Sequence, residues 1–224
     1  MPARSMPVVE NGRFHNPPGA PRPECGPGGF AGFVWRRILD SYKRELPEGH
    51  VLPLEQVRAG IDKHHPGNAV TWLGHAAFLV RLANKNILTD PFLSDVAAPW
   101  PVHAPRRFAG PGLTAGQLPD IDLLLISHNH YDHLDAPTIK ALRKRADVPV
   151  VVPLGLGEFF RRRNYSQVTE LNWWQSCQCQ GLTITAVPAI HFSRRGPGDA
   201  NKTLWCGYII EDESGYRVYF AGDT

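Results

Sequence analysis

The sequence lacks any apolar run of the roughly 20 residues that a bilayer-spanning helix requires, and its first ten residues, MPARSMPVVE, lack the apolar centre of a secretory signal. Cysteine is scarce: Cys25, Cys177, Cys179 and Cys206 are too few and too scattered for a disulfide framework in 224 residues. A reducing, cytoplasmic setting is therefore expected. Charge imbalance is also small. A formal net charge of +3 does not point to nucleic acid as a partner. What remains, 42% hydrophobic and 20% charged residues, suits a globular chain with one sizeable core.

Residues 1–32 are rich in proline and glycine (NPPGAPRPECGPGG) and read as an irregular arm. Over residues 33–46, FVWRRILDSYKREL, the apolar positions Val34, Trp35, Ile38, Leu39, Tyr42 and Leu46 recur at helical spacing. That helix is expected to dock on the domain. Its basic face also admits a place at a membrane surface. From residue 69 strand patterns take over, in AVTWLGHAAFLVRL, NILTD, VPVVVP, QVTEL, GLTITAVPA, TLWCGYIIED and YRVYFAGD. IDLLLIS, residues 121–127, is a continuous apolar run of the kind found in a buried central strand. Asp135 stands where it can cap a helix over APTIKALRKR, and GLGEFFRRR reads as a second, short helix. The fold class is α/β with a mixed sheet.

The densest chemistry lies in ISHNHYDHLD, residues 126–135, with three histidines and two aspartates in ten positions. Imidazole and carboxylate suit zinc and similar divalent ions. His128 and His130, two apart, can point the same way from an extended loop. Asp132 and His133 follow a turn of the chain and can face a second ion. Two such ions can clamp a phosphoryl group and share a hydroxide. His191 in VPAIHFS and Asp223 in YFAGDT also follow strands, where they can reach the same site. Asp90 in ILTDPF can either bond the free nitrogen of a ligand histidine or cap a turn. Asp135 is a helix cap first and a support for the site second. His75 in LGHA reads as a satisfied buried histidine.

Arg194, Arg195, Lys202, Arg106 and Arg107 can collect anionic phosphate or serve as solvated surface charge. Trp173 and Trp174 read as packing, and Cys177 with Cys179 lacks the partner pair of a thiolate metal site.

SHNHYDHLD resembles the HxHxDH signature of the metallo-β-lactamase superfamily. WLGHAAFLV, ILTDPF, PAIHFSRR, NKTLW and YFAGDT occur with it in an order that resembles the branch of N-acylphosphatidylethanolamine-hydrolysing phospholipase D and its bacterial relatives. LNWW at 171–174 and GRFHNP at 12–17 are similar to that branch too; Phe192 departs from it, standing where a tryptophan is expected. The resemblance implies an αββα sandwich, of which this chain would supply roughly the N-terminal half: residues 1–66 as extension and 67–224 as a metallo-β-lactamase domain without its C-terminal part. It implies two zinc ions, with iron or manganese as alternatives. His128, His130 and His191 would hold the first, Asp132 and His133 the second, and Asp223 would bridge them, with a further histidine expected downstream of GDT.

The implied activity is hydrolysis of N-acylphosphatidylethanolamine-type phospholipids to N-acylethanolamine and phosphatidic acid by a metal-bound hydroxide. Asp132 and Asp223 would be the carboxylates closest to the chemistry. The alternatives are a lactonase or another small-molecule metallo-hydrolase, and an inactive fragment that binds metal or a partner. A phospholipid substrate implies peripheral membrane contact, and relatives of this kind admit a homodimer.

Overall fold

A computed structural model of the protein describes residues 5–21, 46–98 and 106–224, with isolated positions between 22 and 45. The helix expected over 33–46 lies, but for such positions, outside the described residues, as does Cys25.

Two sheets form the frame. The first has six strands: β3 (Ala69–Gly74), β4 (Ala77–Leu82), β5 (Lys85–Thr89), β6 (Leu123–Leu125), β7 (Val150–Pro153) and β8 (Val168–Leu171), in that spatial order. β3, β4 and β5 form an antiparallel meander, and β5 to β8 run parallel. The second sheet is antiparallel, in the order β12 (Arg217–Phe220), β11 (Gly207–Glu211), β10 (Leu182–Val187) and β9 (Ser176–Cys179).

The alternation of side chains along a strand explains how the sheets stack. Leu79, Leu88, Leu124, Val150 and Val152 enter one core cluster; their neighbours Val80, Ile87, Leu123, Leu125 and Val151 enter another. The first cluster packs under helices. It receives Ile139 and Leu142 from α2 (Ala136–Arg145) and Phe160 from α3 (Gly157–Arg161). The second takes Leu182, Ile184, Tyr208 and Ile210 from the four-stranded sheet. The layers are thus helix, sheet, sheet, as in the sandwich expected. Burial on both faces is why Leu123–Leu125 is apolar without interruption.

Three features lie where the sequence patterns predict none, and one of them is β9, which pairs with β10. α1 (Leu54–Lys63) sets Leu54, Val57 and Ile61 against the helix-side cluster at spacings of three and four, but it is short and none of its residues is fully buried. Residues 5–20, expected as irregular arm, contain a hairpin of β1 (Val8–Glu10) and β2 (Arg13–His15). Its partners are distant in sequence: the Phe14 N–H donates to Asn201 O at 2.8 Å.

Candidate metal centre

The site gathers at one end of the six-stranded sheet. Asp90 follows β5, Ser127 and His128 follow β6, and His75 sits in the β3–β4 turn. His191 and Asp223 come to the same place just past β10 and β12. Loops at strand ends, held by a packed frame, are where an α/β sheet presents its chemistry. Gly222 shows how closely the two sheets meet there: its φ is +65°, and a Cβ would stand 2.7 Å from Ser127 Cβ. A side chain at 222 would push β12 off the β6 loop and carry Asp223 away from the histidines.

His128 Nε2 and His191 Nε2 lie 2.9 and 3.1 Å from His130 Nδ1, so three imidazole nitrogens converge. Asp223 Oδ2 is 3.7 Å from His191 Nε2, 4.0 Å from His128 Nε2 and 3.2 Å from His133 Nε2. His133 Nε2 is buried and faces Asp223 Oδ2 at 3.2 Å. Beside it, Asp132 Oδ2 accepts His75 Nε2 at 3.1 Å. Three groups among the described residues have the spacing to hold a metal: His128 with His130 and His191, His75 with Asp132 and His133, and Asp90 with His128 and His133.

Burial and mutual repulsion lower the basicity of the first group. His128 is driven well below the ordinary histidine range by burial and then by His133, His130 and His191. His130 falls to about 4 by burial and by His191, and burial lowers His191 as well. Neutral imidazole is the form that binds metal. His133 behaves oppositely: burial pulls it down, but Asp223 and Asp90 outweigh burial and raise it to about 10. Burial opposes ionisation of Asp132 and Asp223, and His75 and His133 respectively hold them below the usual carboxylate range.

Behind the histidines stands Asp90. Its Oδ2 meets His133 Nδ1 at 2.7 Å, its Oδ1 accepts the Ser127 N–H at 2.7 Å, and the Ser127 hydroxyl bonds it and reaches His128 Nδ1 at 2.8 Å. One buried carboxylate thus orients two imidazoles, the second through Ser127. Nothing in the spacing of ISHNH marks Ser127 for this role.

Four residues differ from their sequence expectations. His75 is not a buried histidine; its side chain is 42% exposed and touches Asp132, because the β3–β4 turn opens at the site rather than into the core. Asp135 is at the N-cap of α2, but its carboxylate bonds Leu93 N, Ser94 N, Ser94 Oγ and Thr138 Oγ1, so it braces the 93–94 loop rather than supporting a ligand histidine. Arg195 is neither surface charge nor a free anion collector. Its guanidinium donates to Asn129 O at 2.9 Å and Leu134 O at 2.6 Å, and lies 3.9 Å from the Tyr131 ring centre. Arg107 is likewise turned inward, donating to Ala109 O and Phe92 O. Trp173 is buried, as expected of packing. Cys177 and Cys179 are free thiols on β9, and burial raises Cys177 to about 11.

The chain is 41% identical over 158 residues to an uncharacterized protein of Mycobacterium tuberculosis, covering 70% of this chain and 42% of that one. It is 35% identical over 199 residues to N-acyl-phosphatidylethanolamine-hydrolyzing phospholipase D 1 of Caenorhabditis elegans, covering 84% of this chain and 53% of that protein. It therefore spans about half the length of the curated relatives it matches. Among solved structures, CmlA, a diiron beta-hydroxylase from Streptomyces venezuelae, superposes with a TM-score of 0.52 at 29% identity, over 69% of this chain and 29% of that one. The family model described as Beta-lactamase superfamily domain matches residues 85–224, a span that holds Asp90, the HNHYDH loop, His191 and Asp223. The chain belongs to the beta-lactamase superfamily.

Proposed function

We propose that the protein is a two-zinc phosphodiesterase that hydrolyses N-acylphosphatidylethanolamine-type phospholipids to N-acylethanolamine and phosphatidic acid. The observation that carries the two-metal part is the position of Asp223, whose Oδ2 faces the His128–His130–His191 group on one side and His133 on the other. The residues fit a pair of ions. The first group offers three weakly basic nitrogens within 4.8 Å of one another, and His133 turns a buried nitrogen toward Asp223 at 3.2 Å. All donors are imidazole or carboxylate, a set that suits zinc and also iron or manganese.

In this reading His128, His130 and His191 hold one ion, Asp132 and His133 the other, and Asp223 stands between them. Bound there, the ions would supply hydroxide at neutral pH and neutralise charge growing on phosphoryl oxygens. Asp90 fixes the tautomer and plane of His133 by taking its Nδ1 proton in a hydrogen bond, and holds His128 through Ser127. His75 holds Asp132 from the solvent side.

The lipid part is supported by the similarity to the Caenorhabditis elegans enzyme and by the motif order along the chain. Among the described residues no helix is long and apolar enough to cross a membrane. A lipid substrate would thus be met at a bilayer surface. The test is to load the protein with zinc and offer N-acylphosphatidylethanolamine vesicles, a soluble phosphodiester and a lactone in parallel. Release of N-acylethanolamine and phosphatidic acid, abolished in His128→Ala, is the expected result. Turnover of the lactone with no cleavage of either phosphodiester would overturn the assignment.

A further inference from the structure

Asn16 lies just past the N-terminal hairpin, 175 positions from His191 in sequence, yet the two backbones are joined through its side chain. Asn16 Nδ2 donates to His191 O at 2.8 Å, and Asn16 Oδ1 accepts the His191 N–H at 3.2 Å. The same Oδ1 accepts the Trp205 indole N–H at 3.2 Å. Two N–H donors converging on one atom require an oxygen there, which settles how the amide faces. Trp205 is buried, its indole also donates to Ala189 O at 3.0 Å, and its carbonyl accepts the Trp173 indole at 2.6 Å. Three sequence pieces, GRFHNP, LNWW and NKTLW, therefore meet behind the loop that carries His191.

The hairpin is fastened to this loop region at further points. Phe14 N donates to Asn201 O, Arg13 donates to Ala200 O and Gly198 O, and Asn201 in turn bonds Ser193 in both directions of the loop. The 188–193 segment has no regular secondary structure of its own. Its backbone polar groups need partners from elsewhere, and Asn16 supplies both for the residue that matters.

We infer that Asn16 is a positioning residue for His191, so that the N-terminal hairpin belongs to the metal centre rather than to a dispensable arm. The inference rests on the reading of His191 as a ligand. By clamping the N–H and the carbonyl of one residue, Asn16 fixes the peptide planes on both sides of His191. The imidazole then projects at His130 Nδ1 before any ion arrives. Removing the amide frees the loop to rotate and leaves the Trp205 indole with Ala189 alone.

The experiment is titration of the metal-free protein with cobalt(II), followed by its visible absorption and by competition with a chelator, in wild type, Asn16→Ala, Asn16→Asp and His191→Ala. Asn16→Ala is expected to weaken one of the two ions by about 10–100-fold, the range for loss of a group that orients a ligand. It should alter the cobalt spectrum of that site and leave the other ion in place. Asn16→Asp, nearly identical in shape, keeps the acceptor for the two N–H groups and loses the donor to His191 O, so it should fall between. His191→Ala should lose the same ion outright. If His191→Ala loses an ion while Asn16→Ala and Asn16→Asp keep wild-type affinity and spectrum, Asn16 positions nothing. If Asn16→Ala weakens both ions only in step with a lower metal-free melting temperature, its role is general stability and the inference fails. If His191→Ala keeps both ions, the ligand reading is what failed.

Discussion

His133 Nδ1 lies 2.7 Å from Asp90 Oδ2, and neither side chain is exposed to solvent at all. A buried imidazole that gives one nitrogen to a carboxylate has a fixed tautomer and a fixed plane, and its other nitrogen is left free for an ion. Asp90 has a φ of +38°, outside the regions favoured by residues with a side chain. The surrounding bonds to Ser127 and His133 hold it there.

Asp90→Asn keeps the shape and weakens the acceptor. Metal affinity or activity is expected to fall by about 10–100-fold. Chelator competition on the purified variant measures it, and wild-type affinity would remove Asp90 from the design of the site.

His75 sets stability against binding. Its φ is +52°, a left-handed backbone that costs a side-chain-bearing residue about 1–2 kcal/mol. His75→Gly relieves that cost and deletes the 3.1 Å contact to Asp132. Thermal unfolding of the metal-free variant should be no lower than wild type, while the second ion is held less tightly. A variant with reduced melting temperature and intact binding of both ions would contradict this.

Arg195→Lys keeps the charge and loses the planar fork. Asn129 O and Leu134 O both accept from Nη1, which the planar guanidinium holds in place by lying on the Tyr131 ring; an ammonium loses that ring contact and the orientation it gives. Each carbonyl left without a donor costs about 1–3 kcal/mol, so denaturant unfolding should show a loss of that order. A change confined to substrate affinity, with stability unaltered, would restore the anion-collecting role.

Glu170 gives a pH test remote from the metal groups. Partial burial pulls its pKa up, but Arg161 and the N–H groups of Gly157 and Gly155 pull it further down, below the ordinary 4.5. Its Oε1 accepts Gly155 N at 2.7 Å and Gly157 N at 3.1 Å, and Oε2 takes Arg161 at 2.9 Å. Because the folded pKa is the lower one, the ionised form stabilises the fold above pH 4.5, and that contribution is lost as pH falls through the folded value. Wild type should exceed Glu170→Gln in stability at pH 7, with the gap narrowing below about pH 4.5. A gap independent of pH from 7 to 3 would deny Glu170 this role.

The local pattern of the sequence determined much of this protein. Period-two alternation placed most strands, the unbroken IDLLLIS marked a strand covered on both faces, and HNHYDH marked the loop at the centre of the candidate site. These signals are local because a strand's two faces and a loop's ligand spacing are written within a few residues. What only the tertiary structure decided are relations across long stretches of chain. Asn16 meets His191, Gly222 lets Asp223 pass Ser127, and Asp90 serves two histidines of another loop. The same holds for Arg195 and His75. A charged or aromatic side chain in a loop has the same sequence signature whether it faces water or a buried carbonyl. Packing of the two sheets against each other, with every buried polar group needing a partner, settles which.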